Sequence, residues 1–368
     1  MKNKKIVYIA DFSLPNMSAY MLHVLKMCDA FSEKKLDVKL FVPYKKKLPF
    51  SYFEKNYLLK NKFIIQNFFN HTIKRNLFYN LTYSFKILKF LTKSNYKEII
   101  ISRSIIPALI LAIMNFKVIL EIHTELRGFT KIFFMITKKI ISTKNLKFIL
   151  IHKKLNQKLF LKKKQFIILD DCVDLRDFKF KINTKYECVY TGSYVEGKGI
   201  NTILEMAKLL PAIKFNLYGN IKTLNDDLFI KIKNINNIIL NDYVTYNKIP
   251  KILKSNKILL MPYEKKIGVL IKDLDVSDYI SPLKLFDYLA SGSIILATKK
   301  EAYSHVLKNN YNCFLINSHD ALIWSKKIED ILSNRKNAEK IKLNAINTAK
   351  KYNWSNRCQK IFNFAIND

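Results

Sequence analysis

Short apolar runs alternate with helical stretches twice over in this chain, and that alternation restricts its fold more than any other feature. Residues 6–10 (IVYIA) read as a fully buried strand and 11–18 as a turn-rich loop. Residues 19–34 read as a helix, with Met21, Leu22, Leu25, Cys28 and Phe31 at helical spacing. Residues 37–43 (DVKLFVP) supply a second strand. Strand, loop, helix and strand in this order make a βαβ unit, which builds parallel sheets through right-handed crossovers. The pattern continues with strands at 98–102, 117–122, 148–151 and 166–169 and helices at 104–115, 129–142 and 153–163. Residues 50–97 are aromatic and basic and give no clean period.

A second series starts at Tyr186. Strands are predicted at 187–191, 214–218, 237–240, 258–261, 294–297 and 313–316, with helices at 200–210, 250–255, 282–290, 321–332 and 337–351. The polar stretch 174–185 separates the two series and reads as the linker. At 368 residues the chain is too long for one ordinary core, and 49% hydrophobic residues suffice for two. The expected fold class is α/β, with two facing Rossmann-like domains and a cleft between them where such sheets bind ligands. The domain boundaries expected are 1–173 and 184–353.

Formal net charge is +35, from 64 Lys and Arg against 29 Asp and Glu. Such a surplus attracts nucleic acid, anionic lipid or phosphorylated substrates. The lysines are dispersed among many Asn, Ile, Phe and Tyr, so a compositional origin is an equal reading. The stretch 44–97 likewise has two readings: contact with an anionic membrane, or a solvated surface over an ordinary core. Five scattered cysteines without a C-x-x-C predict neither a disulfide framework nor a zinc site, and a reducing cytoplasm. No signal-peptide pattern follows Met1, and the most apolar stretch, 103–117, contains Pro107 and is too short to span a bilayer. The expected location is cytoplasmic or peripheral on the inner face of the plasma membrane.

The segment 281–292 (SPLKLFDYLASG) carries the most chemistry. Ser281 suits an N-cap and Pro282 a first helical position. The helix N-terminus near Leu283 offers free N–H groups to a phosphate. Lys284 puts a cation where the helix dipole disfavours one, a conflict that an anion there resolves. Asp287 follows one turn later, placed to accept ribose hydroxyls, and Gly292 suits the C-cap. A plain capped helix with a surface Lys–Asp pair fits the same spacing equally well. Walker, dinucleotide, zincin and nucleophile-elbow patterns are all missing from the sequence.

Residues 281–292 resemble the signature of family-four retaining glycosyltransferases. The stretch 190–199 (YTGSYVEGKG) with 203–207 is similar to that family's first nucleotide-binding loop and helix, and 167–178 to its interdomain segment. Residues 16–31 and 121–125 (EIHTE) are similar as well. The resemblance implies a GT-B architecture with a C-terminal donor domain, an N-terminal acceptor domain and a terminal helix, 354–368, packed back on the first. It places Gly192, Ser193, Lys198, Ser281, Pro282, Leu283, Lys284 and Asp287 at a nucleotide diphosphate sugar. Lys198 and Lys284 would face the diphosphate and Asp287 the ribose. His123 would lie near the transferred sugar, and Asn16 and Ser18 would line the acceptor side.

Two positions depart from the pattern: Ser193 stands where the family often has arginine, and Tyr279 where it has the first of two glutamates. Asp278, one residue earlier, is a candidate substitute for the latter. Fixed cations aimed at a leaving diphosphate need no metal, so no divalent ion or cofactor is expected. The acidic pairs Asp170-Asp171 and Asp226-Asp227 are weak metal candidates, and His23, among apolar neighbours, reads as structural. The implied activity is retaining transfer to a lipid-linked or polysaccharide acceptor in bacterial capsule or lipopolysaccharide synthesis. The alternatives are a non-catalytic subunit of a glycan-synthesis complex and, on charge alone, a nucleic-acid-binding protein.

Overall fold

The structure, a computed structural model, describes residues 4–71, 76–94, 99–269, 271 and 273–366. The chain forms two compact units, one of residues 1–170 with 354–368, the other of residues 171–353. In the first, seven parallel strands run β1 (Lys5–Ile9), β2 (Asp37–Val42), β3 (Ile64–Asn67), β4 (Ile99–Ser102), β5 (Val118–Ile122), β6 (Leu146–Leu150) and β7 (Phe166–Ile168). Their spatial order is β3-β2-β1-β4-β5-β6-β7. The second unit has β8 (Tyr186–Thr191), β9 (Phe215–Tyr218), β10 (Ile238–Asn241), β11 (Asn256–Met261), β12 (Ile294–Thr298) and β13 (Phe314–Ile316), ordered β10-β9-β8-β11-β12-β13.

Both sheets reverse their strand order beside the first strand of the unit, at β1/β4 and at β8/β11, which is the doubly wound arrangement. The central strands β5 and β12 are buried along their whole length, as strands covered by helices on both faces must be. In the second unit Trp324, Ile203, Leu217, Leu260 and Leu296 centre the core.

Several elements differ from the sequence reading. The expected helix at 153–163 is a 3-10 turn, Lys153–Leu155, followed by one α turn, Asn156–Leu159. It stops because Phe160 adopts a left-handed conformation with φ 52°. The helix Asp226–Lys233 was not expected; only Ile232 of it is buried, so its pattern carries little apolar signal. Within 50–97 the structure has the helices Phe50–Tyr57 and Leu77–Lys93 around β3. Glu98, the expected start of β4, lies outside the described residues. Half of the described aromatic rings of this stretch are buried: Phe53, Tyr57, Phe63, Phe69, Tyr79 and Tyr83. The first half of the expected linker, 174–185, is a 3-10 turn, Leu175–Phe178, whose Phe178 is buried and whose carbonyl accepts from Lys254 Nζ. All five cysteines are buried free thiols. No helix among the described residues is long and apolar enough to cross a membrane.

Candidate active site

The glycine-containing loop after β8 is clamped from below. Glu264 N–H donates to the Gly197 carbonyl and Gly268 N–H to the Glu196 carbonyl. Gly199, at φ 78°, begins the helix Ile200–Leu209, and a Cβ there would lie 1.8 Å from the Pro262 carbonyl oxygen. This loop is therefore fixed against the strand end after β11, which places Lys198 beside Tyr263.

Lys198 Nζ lies 5.0 Å from the centre of the Tyr263 ring. Lys284, in the first turn of the helix Leu283–Ser291, puts its Nζ 5.4 Å from the same ring and 4.0 Å from that of Tyr190. Two ammonium groups thus share Tyr263. Lys284 Nζ is buried with no hydrogen-bond partner, and among the described residues neither amine meets a carboxylate. Aromatic faces attract a desolvated cation by about 2 kcal/mol, which does not replace the hydration lost. Burial accordingly pushes Lys198 down to about 8. Burial, then the charge of Lys198, pushes Lys284 well below the usual lysine range. The arrangement lacks negative charge, and a ligand phosphate would relieve both groups.

Gly192, at φ 143°, borders the same place. A Cβ there would lie 2.5 Å from Lys284 Nζ, so only glycine leaves this amine room. Ser193 follows, its carbonyl accepting from Tyr190 Oη at 2.7 Å. Ser281 is not the N-cap that the sequence predicts. Pro282 occupies the cap with extended backbone and no side-chain bond, so the helix starts one residue later. The Ser281 hydroxyl instead accepts the Asp171 N–H at 3.2 Å. The N–H groups of the first turn near Leu283 are left uncapped by any side chain. Gly292 ends the helix in the left-handed conformation, at φ 71°.

Asp287 is more enclosed than its expected place against a ribose suggests. It is 6% exposed and its Oδ1 accepts from Tyr246 Oη at 2.9 Å. Lys284 and Asp287 form no ion pair with each other. Tyr279 is buried, its hydroxyl donating to the Asp275 carbonyl at 3.2 Å. Asp278 is exposed. Asp227 pairs with Lys231 one turn along its helix, and among the described residues neither acidic pair belongs to a group of side chains spaced for a metal ion.

In the first unit His123 follows β5, next to a carboxylate that its neighbours saturate. Glu121, 2% exposed, accepts from Tyr8 Oη at 2.6 Å and from Arg357 Nη2 at 2.9 Å. His123 Nε2 lies 2.6 Å and His23 Nε2 2.9 Å from Glu121 Oε1. Burial alone would raise the Glu121 carboxyl, but Arg357, His23 and His123 outweigh it and hold it well below the usual range. Burial, then Arg103, pushes His123 down to about 4. His123 is therefore neutral at pH 7. Its Nε2–H faces the carboxylate, which leaves Nδ1 as an acceptor.

His23 stacks edge-on against both His123 and Trp354, at 4.9 and 5.1 Å, and belongs to this cluster. The ligand atoms of His23, Glu121 and His123 lie within 4.8 Å of one another, a spacing that suits a metal ion, but Arg357 already occupies the carboxylate and opposes a second cation. Asn16 and Ser18 bond to each other: Ser18 N–H and Oγ meet Asn16 Oδ1 at 2.8 and 2.6 Å, and Ser18 Oγ caps the helix Ala19–Glu33.

Tyr190, Tyr263, Tyr246, Glu121 and Arg357 are the participants that the pattern alone does not single out. A glutamate inside the apolar strand Val118–Ile122 is the one visible signal, since a carboxylate there demands buried donors.

Residues 174–348, just under half of the chain, match the family model described as glycosyl transferases group 1. None of the curated proteins compared matches the chain by sequence. Solved structures similar along the whole chain include a glycosyltransferase from Rickettsia africae ESF-5, with TM-score 0.75, 13% identity and coverage of 99% of this chain and 98% of the other. HepE from Anabaena, in complex with UDP and glucose, has TM-score 0.73, 12% identity and 98% coverage of both chains. A single-residue mutant of TarM from S. aureus, in complex with Fondaparinux, alpha-GlcNAc-glycerol and UDP, has TM-score 0.71, 13% identity and coverage of 99% and 100%. At these identities the likeness speaks for the fold, which is the GT-B architecture.

Proposed function

We propose that the chain, whose residues 174–348 match the glycosyl transferases group 1 model, is a glycosyltransferase that takes a nucleotide diphosphate sugar and moves the sugar, with retention at the anomeric carbon, to a lipid-linked or polysaccharide acceptor of bacterial surface-glycan synthesis. The observation that carries the donor assignment is the pair of buried lysines, Lys198 and Lys284, sharing Tyr263 without a carboxylate.

When the bond from the anomeric carbon to the diphosphate oxygen breaks, its electron pair goes to the leaving phosphate. Two preplaced cations and the uncapped N–H groups near Leu283 favour that charge over the ground state. Gly192 and Ser193 let backbone approach the phosphates, with Ser281 and Pro282 shaping the opposite wall. Asp287, with Tyr246 on one oxygen, is the group proposed to meet the ribose. From the first unit, neutral His123 offers Nδ1 to a hydroxyl of the transferred sugar, held in that tautomer by Glu121. Asn16 and Ser18 are assigned to the acceptor, and the setting is the inner face of the plasma membrane.

No step of this reading needs a metal or a cofactor, because the lysines supply the positive charge. The UDP held by HepE and TarM makes uridine the first base to try. Calorimetry with UDP, GDP, ADP and CMP, with and without chelator, tests the assignment. One diphosphate should bind at micromolar affinity in chelator, and Lys198→Ala or Lys284→Met should abolish it. Binding that survives in both variants would refute the site.

Ser193 and Tyr279 favour a second reading, a non-catalytic subunit, since neither supplies the charge that the family often places there. Sugar transfer or donor hydrolysis by the isolated chain would exclude it.

A further inference from the structure

The helix Gly128–Ile140 turns its apolar side away from the protein. Phe129, Ile132, Ile136 and Ile140 recur at three- and four-residue spacing and are 48%, 59%, 60% and 70% exposed. Met135 is 40% exposed beside them, and only Phe134 and Thr137 of this helix are buried. Lys138 donates to the carbonyls of Leu159 and Phe160, which ties Phe160, 71% exposed, to the same surface. An apolar stripe of this size left open to water is not what a monomer's surface tolerates without use.

The charge around it has one sign. From Leu126 to Lys164 the sequence holds twelve Lys and Arg and no Asp or Glu. That run is far more polarised than the chain as a whole, so dispersed composition does not account for it. Lys131 and Lys139 are exposed on the helix itself, and neither has an ion-pair partner among the described residues. An apolar stripe edged by lysine is the chemistry of a helix lying in the interface of an anionic bilayer. The same helix walls a cavity of about 510 Å³, in which Lys131, Phe134, Met135 and Phe160 surround a space reaching Thr124, next to His123.

We propose that the helix Gly128–Ile140, with Phe160 beside it, docks the first unit on an anionic lipid bilayer. The proposal rests on the reading above that the acceptor is lipid-linked, and it moves the membrane contact away from 44–97, half of whose described rings from Phe50 on are buried in the core. Docking brings the cavity and His123 to the lipid surface, where an acceptor head group waits.

Sedimentation with vesicles tests it, using phosphatidylcholine alone and phosphatidylcholine with about one-third phosphatidylglycerol. The full chain should bind the anionic vesicles and lose binding at high salt. The double variant Ile132→Glu/Ile136→Glu should bind at least about 100-fold more weakly, at an unchanged melting temperature because both sites are exposed. Lys131→Glu/Lys139→Glu should lose roughly fivefold for each charge removed, and Lys46→Glu/Lys47→Glu should stay close to wild type. The proposal is overturned if the isoleucine variant binds like wild type, or if only the Lys46/Lys47 variant loses binding. It is equally overturned if wild type ignores vesicles and forms a dimer that the isoleucine variant splits, because a second copy then covers the stripe. Calorimetry with UDP on the same variants separates the two readings. Unchanged nucleotide affinity with lost vesicle binding supports docking, whereas vesicle binding without any nucleotide affinity leaves docking standing and removes the donor assignment.

Discussion

Glu121 and Lys284 are buried ionisable groups in different units, and their surroundings treat them in opposite ways. Glu121 has Tyr8, His23, His123 and Arg357 on its two oxygens. Lys284 has two aromatic faces, a second lysine and no acceptor. A buried charge fully met by donors stabilises one arrangement of the side chains around it. A buried charge left unmet costs stability and is retained where something outside the chain completes it. The first cluster reads as a scaffold that orients His123; the second reads as a binding site.

The sharpest way to break that contrast is to remove each charge. Glu121→Ala strands Arg357 in the core, and the expected loss is about 3–5 kcal/mol of stability, measured by denaturant unfolding. Lys284→Met should do the reverse: melting temperature equal to or above wild type, with kcat for sugar transfer down about 10²–10³-fold. A Lys284 variant with a lowered melting temperature but undiminished activity would place that residue with the scaffold.

Proton titration separates the clusters more gently. A bound phosphate raises the Lys198 pKa, so binding takes up protons once the free group titrates. As Lys198 titrates, nucleotide affinity should fall by up to about tenfold per pH unit above pH 8. In the first unit the sign is opposite. The folded pKa of His123 lies below its ordinary 6.5, so the unfolded chain binds more protons in acid. Stability held above pH 6.5 should decline as pH falls toward 4, and His123→Gln should flatten that decline in urea titrations.

The parallel sheets were legible because strands buried on both faces leave continuous apolar runs such as Val118–Ile122 and Ile294–Thr298. Helices with one weakly apolar face were harder: Asp226–Lys233 buries a single isoleucine, and the turn at Phe160 depends on a backbone angle that its residue type does not announce. At the site, Lys284 could be named from its place in the first turn of a helix and Gly192 and Lys198 only through the family resemblance, and the fold brings the three together. Their tyrosine neighbours could not, because Tyr190 and Tyr263 meet Lys284 only through sheet order. Ser281 was misplaced by one residue because its hydroxyl serves a distant N–H instead of its own helix. The pairing of Glu121 with Arg357 spans 236 positions, beyond any local pattern.

That last pairing also sets an order of events during synthesis. Arg357 sits on the helix Trp354–Ile366, which belongs to the first unit although the whole second unit precedes it in the chain. A ribosome therefore releases every residue of the second unit before it delivers the guanidinium that neutralises Glu121. Domains made first ordinarily finish first. Here the leading half emerges with a carboxylate in its central strand that has no cation, and it waits for the tail to close it.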